Sequence, residues 1–171
     1  MKKSSNAAKR VYWDTCVFLE LIEGDESRRH GIEAVLNEAE KGNVHIYTST
    51  LTIAEVTHAK SERQSHTLDK DVEDRINAMW DDSSVFILVD VFVGIGLDAQ
   101  RIVRDAIKNV AKISPPDAIH LATAVRLGCK EFHTFDEFKG QRDKIAKLLK
   151  LKITEPTLPG TLQFGRKQKK S

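Results

Sequence analysis

The chain has 171 residues, a length that suits one domain with a sizeable core. With 40% hydrophobic residues, and 27 Lys and Arg against 25 Asp and Glu, its composition is that of a soluble globular protein and excludes disorder over most of its length. The longest apolar stretch, Val85 to Leu97, is interrupted by Asp90 and falls short of the roughly 20 residues a membrane span needs. No apolar segment follows the basic start of the chain, and Cys16 and Cys129 form neither a disulfide framework nor a CxxC zinc pair. The expectation is a cytoplasmic protein with no membrane association.

The net charge of +2 is unevenly spread. Lys2, Lys3, Lys9 and Arg10 make the first ten residues basic, Arg166, Lys167, Lys169 and Lys170 do the same at the end, and the body between is acidic. The reading is therefore a basic tail over 1–9, one domain over 10–155 and a second basic tail over 156–171.

In chain order, VYWD at 11–14 reads as a buried strand, with a helical pattern directly after Asp14. Arg29 to Lys41 reads as a helix with Ile32, Val35, Leu36 and Ala39 on one face, stopped by Gly42. VHIYTS at 44–49 is the second strand, followed by a short helix carrying Glu55 among Leu51, Ile53, Ala54 and Val56, expected to face inward. Residues 57–75 are so polar that they read as an exposed helical arm or loop. VFILVDV at 85–91 reads as a strand buried on both faces. Leu97 to Val110 and Pro116 to Leu127 are helical, the latter stopped by Gly128, and EFHTF at 131–135 and LKIT at 151–154 complete the strands. Strand alternating with helix predicts an α/β, Rossmann-like three-layer domain whose central, mainly parallel sheet has four to five strands.

In such a sheet, ligands sit beyond the carboxyl ends of the strands. Four acids fall at strand ends or helix starts: Asp14, Glu55, Asp117 and Asp136. Each has a local explanation as well. Asp14 suits a helix cap, Thr52 with Glu55 and Ser114 with Asp117 match capping boxes, and Asp136 could open a turn. Gathered at one sheet edge they would repel, by roughly 4 kcal/mol per pair at 4 Å with an effective dielectric near 20. A hard divalent cation reverses that balance, and all-oxygen coordination suits Mg²⁺ or Mn²⁺.

DTCVFLELI at 14–22, AEV at 54–56, PPDAIHLATA at 115–124 and TFDEF at 134–138 together resemble a PIN-domain ribonuclease, in particular a VapC-like toxin of a toxin–antitoxin pair. The resemblance covers residues 10 to about 155. It implies an acidic metal site of Asp14, Glu55, Asp117 and Asp136, supported by Thr15 and Thr134, and metal-dependent hydrolysis of RNA. Asp14 and Asp117 would be direct ligands, with Glu55 and Asp136 holding ligand waters or a second ion, and the products would carry a 5′-phosphate and a 3′-hydroxyl. Relatives often add a carboxylate shortly after the last one; here Glu137 is adjacent and Phe138 follows. The resemblance also implies an antitoxin partner laid across the acidic groove, and a homodimer.

Arg101, Arg104, Lys108 and Lys112 recur at helical spacing as a candidate RNA-binding stripe, equally readable as a solvated helix face. The GRKQKK tail is a second candidate. His58 and His120 read as ordinary helix residues, the two cysteines as small apolar packing groups, and Trp13 and Trp80 as core or partner contacts. Two further functions fit an acidic sheet edge: RNA processing without an antitoxin, and a non-catalytic, receiver-like regulatory module. A receiver needs an acidic pair near the first strand, and Val11-Tyr12-Trp13-Asp14 supplies one acid.

Overall fold

The computed structural model describes residues 7–81, 84–109 and 111–157. The tail residues 1–6 and 158–171, including Arg166, Lys167, Lys169 and Lys170, lie outside the described residues.

Five strands, β1 (Lys9–Trp13), β2 (Val44–Ser49), β3 (Phe86–Val89), β4 (Glu131–His133) and β5 (Lys152–Thr154), form one sheet in the order β3-β2-β1-β4-β5. Every pair is parallel. The period-2 alternation of β1 divides the interior. Val11 and Trp13 point to one core, with Phe18, Ile32, Ile46 and Phe86; Tyr12 points to the other, with Ile95, Leu121, Phe132 and Ile145. Trp13 meets the Phe18 ring edge-on at 5.6 Å, and Tyr12 stacks on Phe132 at 5.3 Å. Each such ring, fully buried, contributes on the order of 2–3 kcal/mol.

The first core is covered by helices α1 (Thr15–Glu23), α2 (Glu26–Glu40) and α5 (Lys70–Asp81). The second is covered by α6 (Val93–Lys108), α7 (Pro115–Arg126) and α8 (Arg142–Leu149). Two short helices, α3 (Leu51–Glu55) and α4 (Lys60–Ser65), link β2 to α5. The three-layer parallel α/β architecture is the one the alternating pattern predicts.

Local chemistry explains several boundaries. Asp25 caps α2 by accepting from Ser27 N at 2.9 Å, and Ser114 caps α7 with Pro115 at its first position. Gly42 and Gly128 follow their helices at φ +73° and +66°, a conformation that glycine adopts without a Cβ penalty.

Other expectations are corrected. VFILVDV is a strand only over 86–89, and it is a half-buried edge rather than a strand enclosed on both faces. The region 57–75 is mostly exposed and carries α4 and the start of α5, as expected, but it is pinned to the body. Val72 and Ile76 are buried against α1, Arg75 donates to Ile22 O at 3.1 Å, and Glu62 is buried, accepting from the backbones of Ala59 and Asp69. Ile53 and Ala54 face outward, because α3 lasts little more than one turn. α6 stops at Lys108, so Lys112 lies beyond the helix and off the face carrying Arg101, Arg104 and Lys108. No helix among the described residues is long and apolar enough to cross a membrane.

The connectivity singles out one crevice. From β1 the chain proceeds outward to β2 and β3, then returns to place β4 on the other side of β1. The β1/β4 boundary is the topological switch point, where open parallel sheets bind ligands. Asp14 follows β1 and Thr134 follows β4.

Candidate active site

Asp14 lies one residue beyond β1 and caps α1, with extended backbone (φ −78°, ψ 159°) and Oδ1 accepting from Thr15 N at 2.9 Å. Its capping reading is therefore realised, but it accounts for only one oxygen. Oδ2 accepts from the buried Thr134 hydroxyl at 2.7 Å and stands 3.4 Å from Cys16 Sγ. Asp14 is 8% exposed, and burial pushes its carboxyl pKa above the usual aspartate value despite the nearby His120 and these donors. Cys16 packs against the first core as expected, and its thiol also meets the polar groups of the site. Its thiol contacts Thr134 Oγ1 at 3.1 Å, receives Phe135 N at 3.1 Å, and is pushed by burial up to about 12, so it remains a neutral thiol beside Asp14.

Glu55 is the last residue of α3, at the mouth of the crevice. The Thr52–Glu55 capping box does not form: Thr52 Oγ1 pairs instead with Thr48 Oγ1 at 2.7 Å. Glu55 Oε2 receives the Thr15 hydroxyl and stands 2.8 Å from His120 Nε2. Burial by itself would raise the Glu55 pKa, but the hydrogen bonds from His120 and Thr15 outweigh it and hold the carboxyl below the usual glutamate value. His120 Nε2 is also 4.0 Å from Asp14 Oδ1, which places both carboxylates around one imidazole.

Asp117 and Asp136 are engaged locally. Asp117, in the first turn of α7, accepts from Ser114 Oγ at 2.6 Å while its own N–H reaches back to the same hydroxyl at 3.3 Å. It sits one turn ahead of His120. Exposed Asp136 accepts from Phe138 N at 2.6 Å, the turn predicted for it, and its N–H donates to Thr134 Oγ1 at 3.0 Å. Thr134 thus couples Asp14 to the main chain of Asp136. Among the described residues, no three His, Cys, Asp or Glu side chains are clustered closely enough to hold a metal ion as they stand. Asp14 and Glu55 are brought together, while the other two carboxylates turn to their own caps.

The donor chemistry nonetheless suits a hard cation. Asp14, Glu55, Thr15 and Thr134 offer only oxygen. Among the described residues no Lys or Arg pairs with either carboxylate, and a buried carboxylate needs a counter-charge.

Of the candidate basic residues, Arg101 pairs with Asp98 at 3.2 Å and Lys108 with Asp105 at 3.3 Å, both within α6. Arg104 and Lys112 are exposed, and the Lys112 backbone donates to Gln141, just past the loop after β4. Sequence reasoning missed His120, Tyr12 and Arg142. A histidine amid the Ala and Leu of a buried helix signals an unseen polar partner, because buried polar groups are hydrogen-bonded. Arg142 donates to the carbonyl of Asp136 at 2.7 Å and of Thr134 at 3.5 Å, securing the loop; its place in the sequence carries no such signal.

The family model of the PIN domain matches residues 11–139. The chain belongs to the PIN-domain family. No curated protein matches it. Among solved structures, the PIN chain resembles FitAcB from Neisseria gonorrhoeae at TM-score 0.60 and 16% identity, over 85% of this chain and 97% of that one. VapBC2 from Rickettsia felis, bound to a DNA fragment from its promoter, follows at 0.61 and 12%, over 84% and 96%. VapC20 from Mycobacterium tuberculosis, described as a toxin that cleaves the sarcin-ricin loop, gives 0.54 and 14%, over 76% and 93%. At these identities the likeness is one of fold, and it matches the PIN assignment.

Proposed function

We propose that this PIN domain is a Mg²⁺- or Mn²⁺-dependent endoribonuclease acting as the toxin of a cytoplasmic toxin–antitoxin pair. The observation that carries the reading is the pair Asp14 and Glu55 at the β1/β4 switch point, two carboxylates around the His120 imidazole with which no Lys or Arg among the described residues pairs. The similar VapBC structures, and the similar toxin that cleaves the sarcin-ricin loop, support the substrate and the antitoxin partner. A homodimer is proposed with them.

Asp14 and Asp117 would hold the cation directly, and Glu55 and Asp136 through water or as ligands to a second ion. When bound, it would supply a water of lowered pKa and neutralise charge on the leaving oxygen. The chain's own part is to orient these groups. Thr134 and the Thr15 amide each secure one oxygen of Asp14, while Thr15 and His120 together secure Oε2 of Glu55. The Ser114 and Phe138 caps each use one oxygen of Asp117 and Asp136, and the reading requires those side chains to present the other.

The test is cleavage of a panel of tRNA and rRNA fragments with Mg²⁺, with Mn²⁺ and with chelator, and end-group analysis of the products. Metal-dependent cuts leaving 5′-phosphates, lost in Asp14→Asn, are expected. A folded wild type that cuts no RNA under any of these conditions would favour the non-catalytic module instead. Co-purification with the product of an adjacent small reading frame would separate a toxin from an RNA-processing enzyme.

A further inference from the structure

Four groups stand in line behind the site. Ser49 N donates to Tyr12 Oη at 2.9 Å, Tyr12 Oη is 2.8 Å from His120 Nδ1, and His120 Nε2 is 2.8 Å from Glu55 Oε2. The first link can run only one way, because an amide nitrogen has a proton and no lone pair to offer. Tyr12 Oη, having accepted there, has one proton left, and His120 Nδ1 is its near acceptor. In a neutral imidazole an accepting Nδ1 puts the proton on Nε2. That proton faces Glu55, whose carboxylate can only accept. With the imidazole neutral, a main-chain amide of β2 thereby sets the direction of the whole chain.

The chain is also rigid. Tyr12 and Ser49 are 0% exposed and His120 is 1% exposed. The Tyr12 ring is stacked on Phe132, and His120 rides on α7 one turn past Asp117. Ser49 Oγ stands farther from His120 Nδ1, at 3.4 Å, and as a second donor would reinforce the same tautomer. The far end is selective: His120 and Thr15 converge on Oε2 of Glu55.

We infer that His120, held as the Nε2–H tautomer by Tyr12 and Ser49, is a positioning residue that locks Glu55 through Oε2 and leaves Oε1 to face the cation site. This rests on the metal-dependent reading of that site. His120 touches Glu55 and not the substrate, so its loss should loosen the site and leave RNA capture intact.

The experiment combines calorimetric titration of the metal-free protein with Mn²⁺, kcat and KM for RNA cleavage, thermal unfolding, and ¹⁵N NMR of the histidines. His120→Leu should weaken Mn²⁺ binding and lower kcat, each by about 10- to 100-fold, with KM changed less than about twofold. His120→Gln, whose amide nitrogen reaches the place of Nε2, should recover most of both; His120→Asn, which reaches only the place of Nδ1, should not. Tyr12→Phe keeps the stacked ring and should mix the two His120 tautomers, which are resolved by their ¹⁵N shifts. Should His120→Leu fail to fold, the Gln and Asn variants decide. Wild-type Mn²⁺ affinity and kcat in His120→Leu, equal recovery by Asn and Gln, or an Nδ1–H signal in the wild type would overturn the inference. A wild type that takes up no Mn²⁺ overturns the metal reading itself, a separate outcome, since the tautomer is read without metal.

Discussion

Thr134 Oγ1 donates to Asp14 Oδ2 at 2.7 Å across 120 residues of sequence. It joins the end of β4 to the end of β1, and it also accepts the N–H of Asp136. Thr134→Val keeps the shape but leaves a buried carboxylate oxygen and an amide without this partner. A loss of about 1–3 kcal/mol is expected in denaturant unfolding, together with a fall in cleavage, while Thr134→Ser should keep most of both. Equal stability of the Val and Ser variants would count against the hydroxyl.

Asp14→Asn separates stability from activity. Burial raises the Asp14 pKa, so the folded state holds its proton more tightly than the unfolded chain, and stability from this group is lost as pH rises through the folded value. At neutral pH the charge costs stability. Asparagine keeps one acceptor oxygen for Thr15 N and turns its Nδ2 to the Thr134 hydroxyl, which can accept, so the unfolding temperature at pH 7 should hold or rise while cleavage falls by at least about 100-fold. A variant that melts earlier would contradict the burial argument.

A second buried pair sets the acid limit. His133 receives the Trp13 indole N–H at 3.1 Å on Nδ1 and stands 3.0 Å from Glu131 Oε2, while Lys9 and Lys152 meet Glu131 Oε1 at 2.9 and 2.8 Å. Burial lowers the His133 pKa against the pull of Glu131; for Glu131, burial is outweighed by hydrogen bonds from His133, Lys152 and Lys9, which hold the carboxyl far below its usual range. In both cases the unfolded chain binds more protons as pH falls, so stability is full above about pH 6.5 and declines below it, with a second decline under about pH 4.3. Unfolding temperatures from pH 7 to 3 should show this. His133→Gln should flatten the upper decline and Glu131→Gln the lower one.

Arg142 acts on the loop rather than on the four site carboxylates, and it also pairs with Glu137 at 3.3 Å. Its side chain is 16% exposed, and its guanidinium donates to the carbonyls of Thr134 and Asp136. Lysine cannot reproduce that planar fork. Arg142→Lys should lower cleavage by about tenfold with a stability loss of about 1–3 kcal/mol, read from kcat and thermal unfolding.

Much of this was legible in the chain itself. The β1, β2 and β4 runs, the cap at Ser114 and the stops at Gly42 and Gly128 are local, because apolar period, capping and positive φ depend on near neighbours. For the same reason the local readings of Asp14 and Asp136 are realised, and that of Asp117 in part: Ser114 caps α7, and Asp117 meets the Ser114 hydroxyl rather than its backbone N–H. The end of α6 before Lys112 and the edge position of β3 were not legible, because each depends on what packs alongside.

The sequence by itself determined the alternating α/β order and the acids that end its strands, since hydrophobic period and residue chemistry are carried by consecutive residues. Only the tertiary structure decided that Glu55 answers to His120 and Thr15 rather than to a capping box, and that Cys16 and Thr134 gather around Asp14. A hydrogen bond is specified by distance and direction between atoms, and for groups from 40 to 120 residues apart those are fixed only when the sheet brings β1, β2 and β4 side by side.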